Sequence, residues 1–141
     1  MIAIITGDIV GSQKVSTDIW MPILKNCIKN LALEDNDWQI YRGDEFQLKT
    51  TSEKALLYSI IIKATIKKIK NLDVRIAIGV GFENFTSELV GQSNGTAYLR
   101  SGRAMSILKP SKTNLIIKTG DELFDRTLNL MIKLSLNFMN N

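Results

Sequence analysis

The chain opens on a stretch that a folded protein cannot leave bare. Met1 to Thr6, MIAIIT, is almost continuously apolar, the pattern of a strand flanked on both sides and covered on at least one face. A polar stretch, GSQKVSTD, follows. Then Ile23, Leu24, Cys27, Ile28 and Leu31 recur at helical spacing, with Pro22 near the start of the segment, where a helix tolerates it. A covered first strand leading into a helix needs neighbouring strands, and the rest of the chain has to supply them.

The sequence EDND ends the first helical pattern. WQIYR and FQLKT read as strands, and Gly43-Asp44 between them as a hairpin turn. A second helix is expected from about Ser52 to Lys70, with Leu56, Ile62, Ile66 and Ile69 on one side and Lys63, Lys67, Lys68 and Lys70 on a solvated face. DVRIAIGVG then alternates Val74, Ile76, Ile78 and Val80 as a strand. The order is βαββαβ, which makes the expected fold α+β with a ferredoxin-like core. FENFTSELV reads as a returning strand, Asn94 to Leu108 as a helix and NLIIK as an added strand. The last helix, Glu122 to about Phe138, is opened by a capping box at Thr119-Gly120-Asp121-Glu122. With 141 residues, 45% hydrophobic and 23% charged, no repeat and no linker, residues 1–141 are expected to form one domain.

The composition removes several chemistries. There is no histidine, so catalysis or metal binding has to use carboxylates and other oxygen ligands. Cys27 is the only cysteine; it lies in the apolar register of the first helix, which marks it as a core residue and not a nucleophile. The apolar start is too short for a signal segment or membrane span and is interrupted by Asp8, so a cytoplasmic protein without membrane association is expected. The net charge of +4 leaves nonspecific nucleic-acid binding as a lesser alternative; no helix-turn-helix or zinc signature supports it.

Two acidic turns carry the chemistry. Asp8 follows the first strand in GDIVGS, and Asp44 and Glu45 sit in the hairpin RGDEFQ. In a ferredoxin-like sheet the first and third strands are antiparallel neighbours, so the end of strand one lies beside that hairpin. Converging carboxylates repel unless a cation lies between them. Magnesium or manganese suits the set Asp8, Asp44 and Glu45 with the carbonyl of Ile9, completing its shell with phosphate oxygens. Gly11 and Ser12 would let backbone N–H groups approach a phosphate. Read singly, Asp8 is better explained as a turn or helix cap and RGDE as a polar hairpin; their expected adjacency favours the site instead. A second GDE, Gly120 to Glu122, is fully explained as a helix cap.

Other residues can complete a nucleotide site. Gly79 and Gly81 share one strand face and leave bare backbone, open to a base or ribose or to a closely packed helix. Arg100 and Arg103, one helical turn apart, are spaced to reach one triphosphate, although an ordinary pair of surface arginines explains Arg100 at least as well. The last helix is apolar beyond what one buried stripe needs, which points to a sandwiched helix or a partner surface.

The ordered set GDIVGS, RGDEFQ, RIAIGVG and GTAYLRSGRA resembles the SatD family, and the same order is similar to class III nucleotidyl cyclases and GGDEF-type palm domains, over about Met1 to Leu108. The resemblance implies a palm-type site in which Asp8 and Asp44 hold two metal ions on a nucleoside triphosphate, with Glu45 as an added ligand and Arg103 at the matching helix position. It also implies a homodimer, since cyclase-type sites are commonly completed across a two-fold axis. The implied activity is that of a metal-dependent nucleotidyl cyclase or nucleotidyltransferase, or of a catalytically silent nucleotide-sensing module. Two departures bear on the choice: Leu99 stands where cyclases carry a ribose-holding asparagine, and Arg42 replaces the first glycine of GGDEF.

Overall fold

The computed structural model describes residues 1–41, 43–83, 95–111 and 113–139. Strand β1 (Ile2–Val10) is longer than its apolar run predicts, because both of its edges are paired. One edge meets β3 (Glu45–Thr51) from Ile2 opposite Thr51 to Asp8 opposite Glu45. The other meets β4 (Asp73–Gly81) from Ile2 opposite Gly81 to Val10 opposite Asp73. Gly7 and Asp8 therefore lie in the strand and not in a turn. Gly7 continues the strand where another side chain would not fit: a β-carbon there would stand 2.2 Å from the Phe46 ring.

Strand β2 (Trp38–Tyr41) pairs with β3 through the expected hairpin, and β5 (Leu115–Lys118) runs parallel to β4. The result is a five-stranded mixed sheet in the order β2-β3-β1-β4-β5. With helices α1 (Thr17–Leu31), α2 (Ala55–Lys67), α3 (Thr96–Leu108) and α4 (Glu122–Met139), the fold is α+β. The returning strand expected over FENFTSELV falls largely in residues 84–94, outside those described. No helix among the described residues is long and apolar enough to cross a membrane.

Helices α1, α2 and α4 cover one face, where Ile5, Ile76 and Ile78 of the sheet meet Leu24, Ile28, Ile62, Ile66 and Ile132. In α1 the buried stripe is Trp20, Leu24 and Ile28, so Ile23 turns outward and Cys27 is only half-buried. At the start of α4 the cap is Asp121 and not Thr119: Asp121 Oδ1 accepts the Phe124 N–H at 3.0 Å. Thr119 instead donates its N–H and hydroxyl to Asp125, the hydroxyl at 2.6 Å.

Lys63 departs from the expected solvated lysine face. It is 1% exposed, and its ammonium donates to Asp73 Oδ1 at 2.8 Å and to the Val74 carbonyl at 3.2 Å. Helical periodicity puts it in the buried row with Ser59, Ile62 and Ile66, and a long side chain can enter a core if its charge finds a carboxylate. Burial pushes its pKa down from 10.5, and the hydrogen bond and charge of Asp73 oppose that shift. Between the lowered value and 10.5 the unfolded chain binds more protons than the folded one, so stability rises with pH across that window. Asp73→Ala strands the ammonium and is expected to cost about 3–5 kcal/mol in urea denaturation, whereas Lys63→Met costs little and flattens that alkaline rise.

Helix α3 lies on the opposite face at very short range. A β-carbon on Gly79 would stand 2.2 Å from the Ala97 carbonyl oxygen and 2.3 Å from the Ser101 nitrogen. Buried Ser101 shares a hydrogen bond of 2.6 Å with Thr6 and donates to the Ala77 carbonyl at 3.2 Å. Helix backbone cannot move aside as a flexible side chain can. Gly79→Ala is therefore expected to cost about 3 kcal/mol or to prevent folding. Gly102→Ala, with nothing within 4 Å and a helical backbone, should gain about 0.5–1 kcal/mol. Thermal denaturation of the two variants separates these outcomes.

Candidate functional site

The pairing of β1 with both neighbours lays Tyr41, Glu45, Asp8 and Arg75 in one row across four strands. Side chains alternate along a strand, and Val74, Ile76 and Ile78 face the core of α1 and α2. Asp8, Glu45 and Arg75 therefore share the α3 side. Beyond the row the register continues for one more bond, from the Ile9 N–H to the Asp44 carbonyl at 2.9 Å. Because N–H and C=O of one strand residue leave toward the same neighbour, the Ile9 carbonyl also lies on the hairpin side. Ser12 Oγ donates to Asp44 Oδ2 at 3.1 Å, tying the β1–α1 connection to the hairpin. Asp8, Ile9, Ser12, Asp44 and Glu45, from two distant stretches, thus meet at one end of the sheet.

Arg75, which sequence reasoning passed over, dominates the electrostatics. Its Nε donates to Asp8 Oδ1 at 2.9 Å and its Nη2 to Asp8 Oδ2 at 2.8 Å, a bidentate pair in which Asp8 is 7% exposed. The hydrogen bonds to Asp8 push the guanidinium pKa upward; partial burial opposes this, and the charges of Asp8 and Asp44 add to it. Lys109, just past α3, brings its ammonium within 3.6 Å of Glu45, and its carbonyl accepts from Arg75 Nη1 at 3.3 Å. DVRIAIGVG alone shows that the residues between the core positions point to the other face; that Arg75 is the one opposite Asp8 follows from the β1–β4 register.

Gly11 is held at φ 86°, and a β-carbon there would stand 2.5 Å from the Asn71 carbonyl. Packing between two turns therefore accounts for this glycine by itself. Beside it lies a cleft of about 540 Å³ lined by residues including Ser12, Lys14, Ser16, Trp20 and Asp44. Ser16 makes no side-chain cap to α1. A groove of similar size, about 570 Å³, between α1 and α2 includes Cys27 and Thr65. It lies away from the carboxylates, and burial pushes the Cys27 thiol pKa up, only partly opposed by the Thr65 hydrogen bond, which is the wrong direction for a nucleophile.

The glycines and arginines expected to grip a nucleotide sit elsewhere. Helix α3 fills the room beside Gly79, and Thr96 Oγ1 would be 2.4 Å from a β-carbon on Gly81; of the two readings of these glycines, close helix packing is the one realised. Arg100 Nη1 donates to the Val80 carbonyl at 2.7 Å, five residues along β4 from Arg75, or about 17 Å at strand rise. Arg103 is exposed, on the side of α3 away from Ser101, Ala104, Met105 and Leu108, which are buried. Neither arginine joins the Asp8 row within one chain. No known protein-family model matches the chain, and no characterised protein is detectably similar to it in sequence.

Among the described residues no three His, Cys, Asp or Glu side chains are grouped to hold a metal ion. The oxygens of Asp8, Asp44 and the Ile9 carbonyl are still hard donors of the kind magnesium takes one or two at a time. An ion reaching Asp8 competes with the Arg75 guanidinium for the same two oxygens. Arg75→Gln should accordingly lower the melting temperature without metal and bring on the manganese-induced rise at lower ion concentration, a site held at a hundredfold excess over its Kd gaining about 2.7 kcal/mol in all. Adding Asp8→Asn to that variant should abolish the rise, as read by differential scanning calorimetry.

Proposed function

We propose that the chain is a palm-type, ferredoxin-like domain that binds a nucleotide through its phosphates at the edge formed by Asp8, Asp44 and Glu45. The observation that carries this reading is the direct joining of the end of β1 and the turn after it to the acidic hairpin, Ile9 N–H to the Asp44 carbonyl and Ser12 Oγ to its carboxylate. The strand order β2-β3-β1-β4, reached in βαββαβ chain order, supports the palm assignment. In this reading Asp8, Asp44 and the Ile9 carbonyl hold magnesium or manganese, which when bound neutralises phosphate charge. Ser12 and the turn around Gly11 face the phosphates, and Lys14, which lines the adjoining cleft, adds a cation. Arg75 holds the Asp8 carboxylate in place through its two hydrogen bonds until an ion arrives. A cytoplasmic setting goes with a nucleoside triphosphate ligand, and the SatD family is the resemblance that fits this assignment.

A silent, nucleotide-sensing module is favoured over a fast cyclase by the far side of the site. Leu99 is 52% exposed on α3 where a ribose-holding asparagine would serve, and Arg100 is bonded to Val80. Loss of positioning alone lowers rates on the order of a hundredfold. The nucleic-acid reading loses ground for a separate reason, since Lys63 of the basic helix is buried and Lys67 lies 3.7 Å from Asp73.

Titration calorimetry with each ribonucleoside triphosphate and manganese is expected to show binding that Asp44→Ala weakens on the order of tenfold or more. Chromatography of the same mixtures should show little or no cyclic product. Rapid, Asp44-dependent formation of a cyclic nucleotide would establish a synthase, and absence of binding for every nucleotide would defeat the assignment.

A further inference from the structure

Helix α4 is apolar on two opposite sides. Ile132 and Leu136 are buried and Leu128 packs beside them against the sheet. At 100° per residue, a second stripe made of Leu123, Phe124, Thr127, Leu130, Met131, Leu134 and Phe138 spans the outer side over about 120°. Its apolar members are 72%, 52%, 59%, 59%, 54% and 82% exposed, in chain order. The one polar member, Thr127, turns its hydroxyl back to the Leu123 carbonyl at 3.0 Å. The stripe therefore carries no charge and no unmet donor.

These side chains expose about 750 Å², taking ~200 Å² for a large apolar side chain in the open. The largest apolar patch on an ordinary monomer is about 300–600 Å², and a standard interface buries about 800 Å² per partner. We propose that this face of α4 binds α4 of a second copy of this chain, antiparallel about a two-fold axis between Leu130 and Met131. Six of the seven stripe positions mate with one another about that point, the axis setting Leu130 against Met131, Thr127 against Leu134 and Leu123 against Phe138, each contact made twice, while Phe124 meets Asn137 at the margin. The antiparallel arrangement also opposes the two helix dipoles favourably. A charged partner surface finds nothing to pair with in the stripe, whose nearest cations, Arg126 and Lys133, lie along one margin only. The pairing stands independently of any ligand at the Asp8 edge.

Sedimentation equilibrium of the full chain from low to high micromolar concentration is the test. The parent should dimerise, and Leu130→Glu should raise the dimer dissociation constant by about thirtyfold or more with an unchanged circular dichroism spectrum, since the position is already exposed. In a Cys27→Ser background, Leu123→Cys and Phe138→Cys should each remain uncrosslinked alone and form an interchain disulfide when mixed and oxidised. A parent that stays monomeric, with or without binding a hydrophobic dye at this face, assigns the stripe to a different occupant and overturns the proposal. So does a dimer indifferent to Leu130→Glu, or one in which Leu123→Cys crosslinks to itself.

Discussion

Strand β1 is hydrogen-bonded along both edges, and almost everything of functional interest depends on that double register. Side-chain direction in a sheet has a period of two, so a slip of one residue on either side would turn the whole row over. With the register as it is, Ile5 and Ile9 enter the core under α1 and α2, while Thr6 and Asp8 face α3. Thr6 meets Ser101 and Asp8 meets Arg75. The site is a by-product of sheet pairing: the carboxylates converge because the strands that carry them are neighbours.

The α3 face is built from opposed requirements. Over its first two turns the helix lies so close that Ala97 and Ser101 stand against the bare backbone of Gly79, which needs small residues on both sides. At its far end the packing opens, and the space is taken by charge: Arg75 spans Asp8, and Lys109 approaches Glu45. Of the two cations, Arg75 counts for more, because its partner is nearly buried and the contact is bidentate. The Lys109 contact is half-exposed and long, a kind of pair that adds little. Whatever enters this edge meets acids already balanced by an arginine that can hold Asp8 or let it go.

Much of the fold was legible in the sequence because the apolar periods were clean. The four strands of the core, the added strand LIIK and the four α-helices among the described residues follow from spacing with turn and cap signals. The meeting of Asp8 with the hairpin acids followed from topology, with no motif needed. What escaped was what depends on pairing partners instead of period. Arg75 falls between core positions of its strand, and nothing local marks it as the partner of a residue 67 positions earlier. Lys63 looked solvated because lysines beside it in sequence are; its burial depends on Asp73 waiting across a turn. Gly79 and Gly81 were ambiguous in kind, since bare backbone admits a ligand and a helix equally well until the helix is seen lying on it.

The central place of β1 has a consequence for how the chain reaches this state. Its sequence, IAIITGDIV, is rich in β-branched residues with a single charge, and it is satisfied only when strands far along the chain arrive on both sides. Pairings of such separation form slowly, because a long loop must be closed before any contact rewards it. Until β4 docks, one edge of an apolar strand has no cover, which is the condition under which strands recruit the wrong neighbour. Asp8 is the one charge in that segment, so the residue that organises the site in the finished molecule also interrupts the stretch most prone to stick during its assembly.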